Sequence, residues 1–214
     1  TTATLAAIAG KRAIAVAGLQ PDDIDVILVA TLTPDYWMPS TGALVKEAIG
    51  NTSAAAMDVM AACSGFVYAY SSADAYLRSG AFRHALVIGA ETLSRFLDFS
   101  DRATCILFGD GAGAAVLSAS DEDGGGMAGL ELTTDPDGAY MIWLPSGGAR
   151  SPVSGQTLAR GEHFVRMEGK ETYRYATKTM ATTALRAIER AGWQPDEIDL
   201  FIPHQANVRI IESV

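Results

Sequence analysis

Cys63 is the residue of this sequence best placed to do chemistry. It follows the run Ala54-Ala55-Ala56-Met57-Asp58-Val59-Met60-Ala61-Ala62 and precedes Ser64-Gly65 and a helical pattern reaching Arg78. A thiol there sits at a strand-to-helix turn, where unpaired backbone N–H groups and the positive end of the helix dipole favour thiolate over thiol. Thiolate is the nucleophilic form, so the position suits covalent catalysis. It also suits a small buried hydrophobe, the commoner role of a free cysteine. The second candidate is His204, in Ile202-Pro203-His204-Gln205-Ala206-Asn207. A histidine can accept a proton, donate one, or hydrogen-bond a developing oxyanion. It can equally cap a helix or simply pack. Cys105, in Thr104-Cys105-Ile106-Leu107-Phe108, reads as packing, and His84 and His163 as incidental. Two cysteines and three histidines so spread do not have metal-ligand spacing, so no metal is expected.

The elements that must hold these residues alternate along the first half of the chain. The spacing of Leu5, Ile8, Arg12 and Val16 predicts a helix over 4–17 with Gly18 as its stop. Strands are expected at 25–30, 54–60 and 85–89, and helices at 40–49, opened by Ser40, and at 64–78. Near-continuous apolar strands between helices imply an α/β protein with a parallel sheet covered on both faces. Residues 103–108 and 112–118 read as two β runs joined in a hairpin at Gly109-Asp110-Gly111. That glycine string lacks the spacing of a phosphate-binding fingerprint. An acidic, glycine-rich exposed loop is expected at 121–126, an irregular functional loop at 145–163, and a long helix at 170–191.

The bulk numbers set limits. The chain has 214 residues, 49% of them hydrophobic, and a formal charge of −9, which argues against nucleic acid as a main partner. No apolar stretch is long enough to span a bilayer. Two cysteines do not make a disulfide scaffold, so a reducing, cytoplasmic setting is expected. The chain starts without methionine in a helical pattern and stops at Ile211-Glu212-Ser213-Val214 in another, and is expected to be a fragment.

An internal repeat organises the whole. Ala17-Gly18-Leu19-Gln20-Pro21-Asp22-Asp23-Ile24-Asp25 recurs as Ala191-Gly192-Trp193-Gln194-Pro195-Asp196-Glu197-Ile198-Asp199. Each copy ends a helix at Gly, turns through Pro-Asp and enters an apolar run expected to be a strand, the second ending at Ile202-Pro203. Sites in open α/β sheets form beyond the carboxyl ends of strands. Cys63 and His204 each follow such a run.

Three segments together carry a family resemblance: Asp58-Val59-Met60-Ala61-Ala62-Cys63-Ser64-Gly65, Leu107-Phe108-Gly109-Asp110-Gly111-Ala112-Gly113 and Ile202-Pro203-His204-Gln205-Ala206-Asn207. With Pro39-Ser40-Thr41 and Gly89-Ala90-Glu91 they resemble the β-ketoacyl-[acyl carrier protein] synthase III family. The resemblance implies a thiolase-like fold of duplicated α/β halves in layered α-β-α-β-α order, incomplete in this chain. It divides the sequence into a nucleophile half at 1–120, a connecting region at 121–169 and the start of a second half at 170–214. It implies that Cys63 takes an acyl group from acyl-CoA. A malonyl group on acyl carrier protein then loses CO₂, and its carbanion attacks the thioester. His204 would stabilise the enolate with an asparagine that the family places downstream of Val214.

Further roles follow from the resemblance. Arg102 would contact CoA and Asn207 pantetheine. Leu93, Phe108 and Met167 would line the acyl pocket, and Met38 would reach across a homodimer interface into the partner's pocket, unless it only packs its loop. Arg174 and Arg209 match family positions that dock the acidic carrier protein; helical spacing, not the resemblance, adds Lys170 and Lys178 to the face of Arg174, and the same spacing fits a solvated face. No cofactor and no membrane partner is implied. Rival expectations are a related acyltransferase or condensing enzyme of secondary metabolism (polyketide or quinolone type) and a non-catalytic binding fragment. A thiolase would need a second catalytic cysteine in a glycine-flanked loop, whereas Cys105 lies in a strand pattern.

Overall fold

A computed structural model describes residues 1–120 and 125–214 and divides into two compact units. The first comprises Thr1–Thr92 and Asp110–Ala128; the second comprises Leu93–Gly109 and Gly129–Val214. Four residues of the loop expected at 121–126, residues 121–124, lie outside the described residues.

The first unit is a four-stranded sheet in the order β2-β1-β3-β4, with helices on both faces. Its strands are β1 (Val26–Ala30), β2 (Ala55–Val59), β3 (His84–Thr92) and β4 (Asp110–Ser118). β1 is wholly buried and runs parallel to β2 and β3. Its side chains alternate between two cores. Ile27 and Val29 join Ala6, Ala7 and Ile14 of α1 (Thr2–Val16) and Val45 and Ile49 of α2 (Thr41–Ile49). Val26, Leu28 and Ala30 join Ala69 and Ala73 of α3 (Gly65–Arg78). Burial on both faces is why the strand reads as a continuous apolar run.

α2 is pinned to β2, the strand that leads to Cys63. Asp58 accepts the N–H groups of Thr41 and Gly42, each at 2.7 Å, which satisfies two donors of the helix N-terminus. Gly42 permits this approach, because a Cβ there would stand 3.0 Å from the Met57 nitrogen.

The expected hairpin at 109–111 is not formed. β4 instead pairs antiparallel with β3, from His84↔Ser118 to Thr92↔Asp110, so the sheet is parallel only across β2, β1 and β3. Residues 103–108 are not a strand either. Arg102–Cys105 form a short helix, α4, because the Asp101 carboxylate accepts the Ala103 N–H at 3.1 Å and the Thr104 hydroxyl at 2.7 Å. Cys105 thus sits half-exposed at a helix end, its Sγ 4.0 Å from the Phe99 carbonyl.

In the second unit, β5 (Ile142–Trp143) pairs antiparallel with β6 (Arg166–Met167). The irregular stretch expected at 145–163 holds one short helix, α5 (Gly155–Ala159), capped by Ser154. The long helix α6 spans Gly169–Ala191, and α7 spans Val208–Ile211. Residues 199–203, expected as a strand, form none. Leu200, Phe201 and Ile202 are exposed, and among the described residues no strand lies beside them to take their backbone hydrogen bonds.

Candidate active site

Cys63 lies four residues beyond β2, in the tight turn Ala62–Ser64 that feeds α3. The turn is forced. Ala62 has φ 48°, a left-handed conformation that costs a residue with a Cβ about 1–2 kcal/mol. Such strain persists where surrounding packing fixes the chain. Here Gly65, in the first turn of α3, sits so close to the end of β1 that a Cβ would lie 3.1 Å from the Ala30 Cβ. The result is a thiol displayed at the carboxyl edge of a parallel sheet and at a helix N-terminus.

The electrostatics differ from the sequence expectation of a favoured thiolate. Cys63 is exposed at its surface, yet packing behind the sulfur withholds water and pushes the thiol pKa up; the Cys63 backbone N–H pulls it down, and the charge of Glu91 adds to the rise. Dehydration on one side thus outweighs the helix terminus. Nucleophilic use of Cys63 therefore calls for a group that accepts its proton or pairs its charge.

The other residues singled out in the sequence are distributed between the units. Met38 belongs to the first and is 86% exposed in the loop before α2. Leu93, Phe108 and Met167 belong to the second and are half-buried. Arg102 opens α4 and is exposed. His204 is exposed in the segment before α7, not at the end of a strand. Asn207 caps α7, its side-chain oxygen accepting the Arg209 N–H at 2.9 Å. Lys170, Arg174 and Lys178 are exposed on α6, with Arg174 paired to Glu171 at 3.2 Å. Tyr173 bridges α6 to α7: its hydroxyl lies 2.9 Å from Ser213 Oγ and 3.5 Å from the Arg209 carbonyl, which brings Arg209 beside this basic face. His84 bonds Ser118 at 2.8 Å, and His163 packs on Phe164. Among the described residues no group of three or more side chains could hold a metal ion, and no helix is long and apolar enough to cross a membrane.

In the sequence Glu91 stands within Gly89-Ala90-Glu91 and carries no role of its own. In the structure it accepts the Leu32 N–H at 2.7 Å and the Thr33 hydroxyl at 2.6 Å. These partners are some sixty positions away in sequence and leave no local pattern; the one available signal was the alternating Thr31 and Thr33 directly after β1.

A doubly covered α/β sheet that strains its own backbone to display a thiol is an arrangement suited to a cysteine nucleophile. The comparisons with known proteins narrow that reading. Residues 57–136 match the family model for 3-oxoacyl-[acyl-carrier-protein (ACP)] synthase III, and residues 188–214 match the model for its C-terminal part; together they match half of the chain. A β-ketoacyl-[acyl-carrier-protein] synthase III from Caldanaerobacter subterraneus subsp. tengcongensis is 46% identical over 212 residues, covering 99% of this chain and 64% of that protein. The crystal structure of 3-oxoacyl-[acyl-carrier-protein] synthase III from Aquifex aeolicus VF5 superposes with TM-score 0.87 at 37% identity, covering 100% of this chain and 64% of that one. The priming β-ketosynthase of the R1128 polyketide biosynthetic pathway superposes with TM-score 0.86 at 32% identity, covering 100% of this chain and 62% of that one. The chain belongs to the 3-oxoacyl-[acyl-carrier-protein] synthase III family and has its thiolase-like α/β fold. It spans 64% of the length of the C. subterraneus relative.

Proposed function

We propose that the complete protein is a starter condensing enzyme of type II fatty acid synthesis. The observation that carries this is the displayed thiol of Cys63 at a strained strand-to-helix turn, inside the segment that matches the family. Cys63 attacks the carbonyl of an acyl-CoA, its proton leaves to a base, and CoA departs as thiol, leaving an acyl thioester. Malonyl-acyl carrier protein then binds. Its carboxylate leaves as CO₂, and the electron pair released forms an enolate that His204 stabilises by a hydrogen bond to the thioester oxygen. The enolate carbon attacks the acyl thioester, Cys63 leaves as thiolate, and a β-ketoacyl-carrier product forms. In this scheme Arg102 and Asn207 contact CoA and pantetheine, and Met38, Leu93, Phe108 and Met167 line the acyl pocket. Lys170, Arg174, Lys178 and Arg209 meet the acidic carrier protein. The enzyme works as a cytoplasmic homodimer without a cofactor.

The test is to incubate the complete protein with labelled acyl-CoA and map the thioester. Label is expected on Cys63 and absent from Cys63→Ala; label on Cys105 refutes the scheme. His204→Ala should spare acylation and depress malonyl decarboxylation. Arg209→Glu should raise KM for malonyl carrier protein and leave acylation by acyl-CoA unchanged, because complementary charge speeds only the encounter it faces. An equal fall in both half-reactions would remove the docking assignment. The likeness to a priming polyketide ketosynthase favours a second reading, in which the same thioester is passed to a polyketide carrier. Offering both carrier proteins in one competition assay separates the two.

A further inference from the structure

Glu91 holds the root of the segment that carries Met38. It stands on β3 two residues past Gly89, which pairs with Ala30 at the carboxyl end of β1. Its Oε1 accepts the Leu32 N–H at 2.7 Å; its Oε2 accepts the Thr33 hydroxyl at 2.6 Å and the Thr31 hydroxyl at 3.4 Å. Both oxygens act as acceptors, the pattern of a carboxylate. The clasp continues behind it. Thr33 Oγ1 accepts the Thr92 N–H at 2.8 Å, and the Thr2 hydroxyl donates to the Thr33 carbonyl at 2.6 Å. Asp35 accepts the Ala3 N–H at 3.1 Å. Thr2, Thr31, Thr33 and Thr92 are all buried, and immediately afterwards the chain emerges with Tyr36, Trp37 and Met38 exposed. The strap is fixed at its base and free at its tip.

The same carboxylate stands near the Cys63 turn: Gly65 packs on Ala30, which pairs with Gly89, two residues before Glu91. Among the titratable groups on the elements packed around the Cys63 turn, Asp58 of β2 is committed to the N-terminus of α2. Asp74 and Arg78 of α3 pair with each other at 2.6 Å, and Tyr70 and Tyr76 pack against Phe66 and Phe82. Tyr68 is held in interactions of its own, and His84, at the far end of β3, is bonded to Ser118. Burial is the main cause that raises the Cys63 thiol, and the charge of Glu91 adds to it.

We propose that Glu91 is a positioning residue for the acylation of Cys63: its carboxylate clasps the turn from which the Met38 segment departs and holds a negative charge on the side of the sheet edge where the Cys63 turn packs. The proposal rests on the assignment of Cys63 as the acyl acceptor. Burial pushes the Glu91 carboxyl up against the pull of its hydrogen bonds, the expected cost of fixing a charge in a half-buried clasp.

The experiment uses the complete protein. The rate of Cys63 carbamidomethylation by iodoacetamide is followed against pH, with peptide mapping, in wild type, Glu91→Gln and Thr33→Val. Glu91→Gln keeps the shape and removes the charge, so the midpoint is expected to fall, while Thr33→Val, which keeps the charge, leaves it in place. An unmoved midpoint in Glu91→Gln overturns the electrostatic half. In the same proteins kcat/KM for an acyl-CoA with an uncharged acyl group should drop about tenfold in Thr33→Val as the strap loosens, and return in Thr33→Ser, which restores the hydroxyl. A wild-type value in Thr33→Val, or no rescue by Thr33→Ser, overturns the clasp; these two variants decide it even if Glu91→Gln does not fold. Alkylation needs no acyl substrate, so its profile is read independently of whether acyl transfer to Cys63 itself is confirmed.

Discussion

The two copies of the repeated unit begin alike and end differently. Gly18 and Gly192 follow their helices at φ 71° and 76°, and the N–H groups of Leu19 and Trp193 reach back to Ile14 and Ile188 at 3.1 and 3.2 Å. Pro21–Asp23 and Pro195–Glu197 make the same tight turn. Asp23 and Glu197 accept the N–H groups of Gln20 and Gln194 at 2.7 and 2.6 Å. Beyond Asp25 and Asp199 the likeness stops. Asp25 accepts the N–H groups of Arg83 and His84 at 2.8 and 2.9 Å, and Val26-Ile27-Leu28 run buried between two strands. Their counterparts Leu200, Phe201 and Ile202 are 73%, 50% and 70% exposed and form no strand. Helix stops and turns are fixed by residues within a few positions of one another. A strand exists only where neighbours take its hydrogen bonds and cover its side chains.

Amide exchange should separate the copies most strongly. The amides of Val26–Ala30 are expected to exchange through global opening of their unit, and those of 200–202 near the unprotected rate, a difference of about a thousandfold or more. Comparable protection in the two segments of this 214-residue chain would break the contrast. Side-chain truncation should follow the same order. Leu28 is fully buried, so Leu28→Ala should destabilise by about 2–5 kcal/mol, while Ile202→Ala should stay within about 0.5 kcal/mol in chemical denaturation of the same chain.

The contrast also explains what was legible. Helices α1, α2, α3 and α6, the repeated turn and β1 to β3 could be read because glycine, proline, helical spacing and continuous apolar runs mark them locally. Residues 103–108 have the composition of a strand, but Asp101 offers its carboxylate to Ala103 and Thr104 and winds them into a helix. The antiparallel seat of β4 on β3 depends on distant pairing. So does the membership of residues 93–109 in the second unit, which no pattern in the sequence marks. At the site, Cys63 was legible from its strand-to-helix position. The upward push on its thiol was not, because dehydration by packed neighbours is a property of the fold. In solution that push has a sign. Thiolate is the reactive form, so raising the pKa removes it at neutral pH, and alkylation of Cys63 in this chain should climb through a more alkaline range than that of free cysteine. A midpoint at or below that of free cysteine would restore the helix terminus as the dominant influence.

The smallest effect tests the half of the comparison in which the copies agree. Asp23 and Glu197 each close a reciprocal cap on the glutamine three residues earlier, and both caps are solvent-exposed. A cap of this kind contributes about 0.5–1 kcal/mol, and because it is local it should not depend on whether the chain beyond it is buried. Asp23→Ala and Glu197→Ala are therefore expected to lower the stability of their own units by similar amounts, read as midpoint shifts from probes placed in each. The first copy carries an extra restraint: Asn51 donates to the carbonyls of Pro21 and Ile24 at 2.6 and 2.9 Å, holding the turn from outside. If that long-range bond substitutes for the cap, Asp23→Ala will cost measurably less than Glu197→Ala. The repeated turn would then be locally encoded in its second copy and redundantly held in its first.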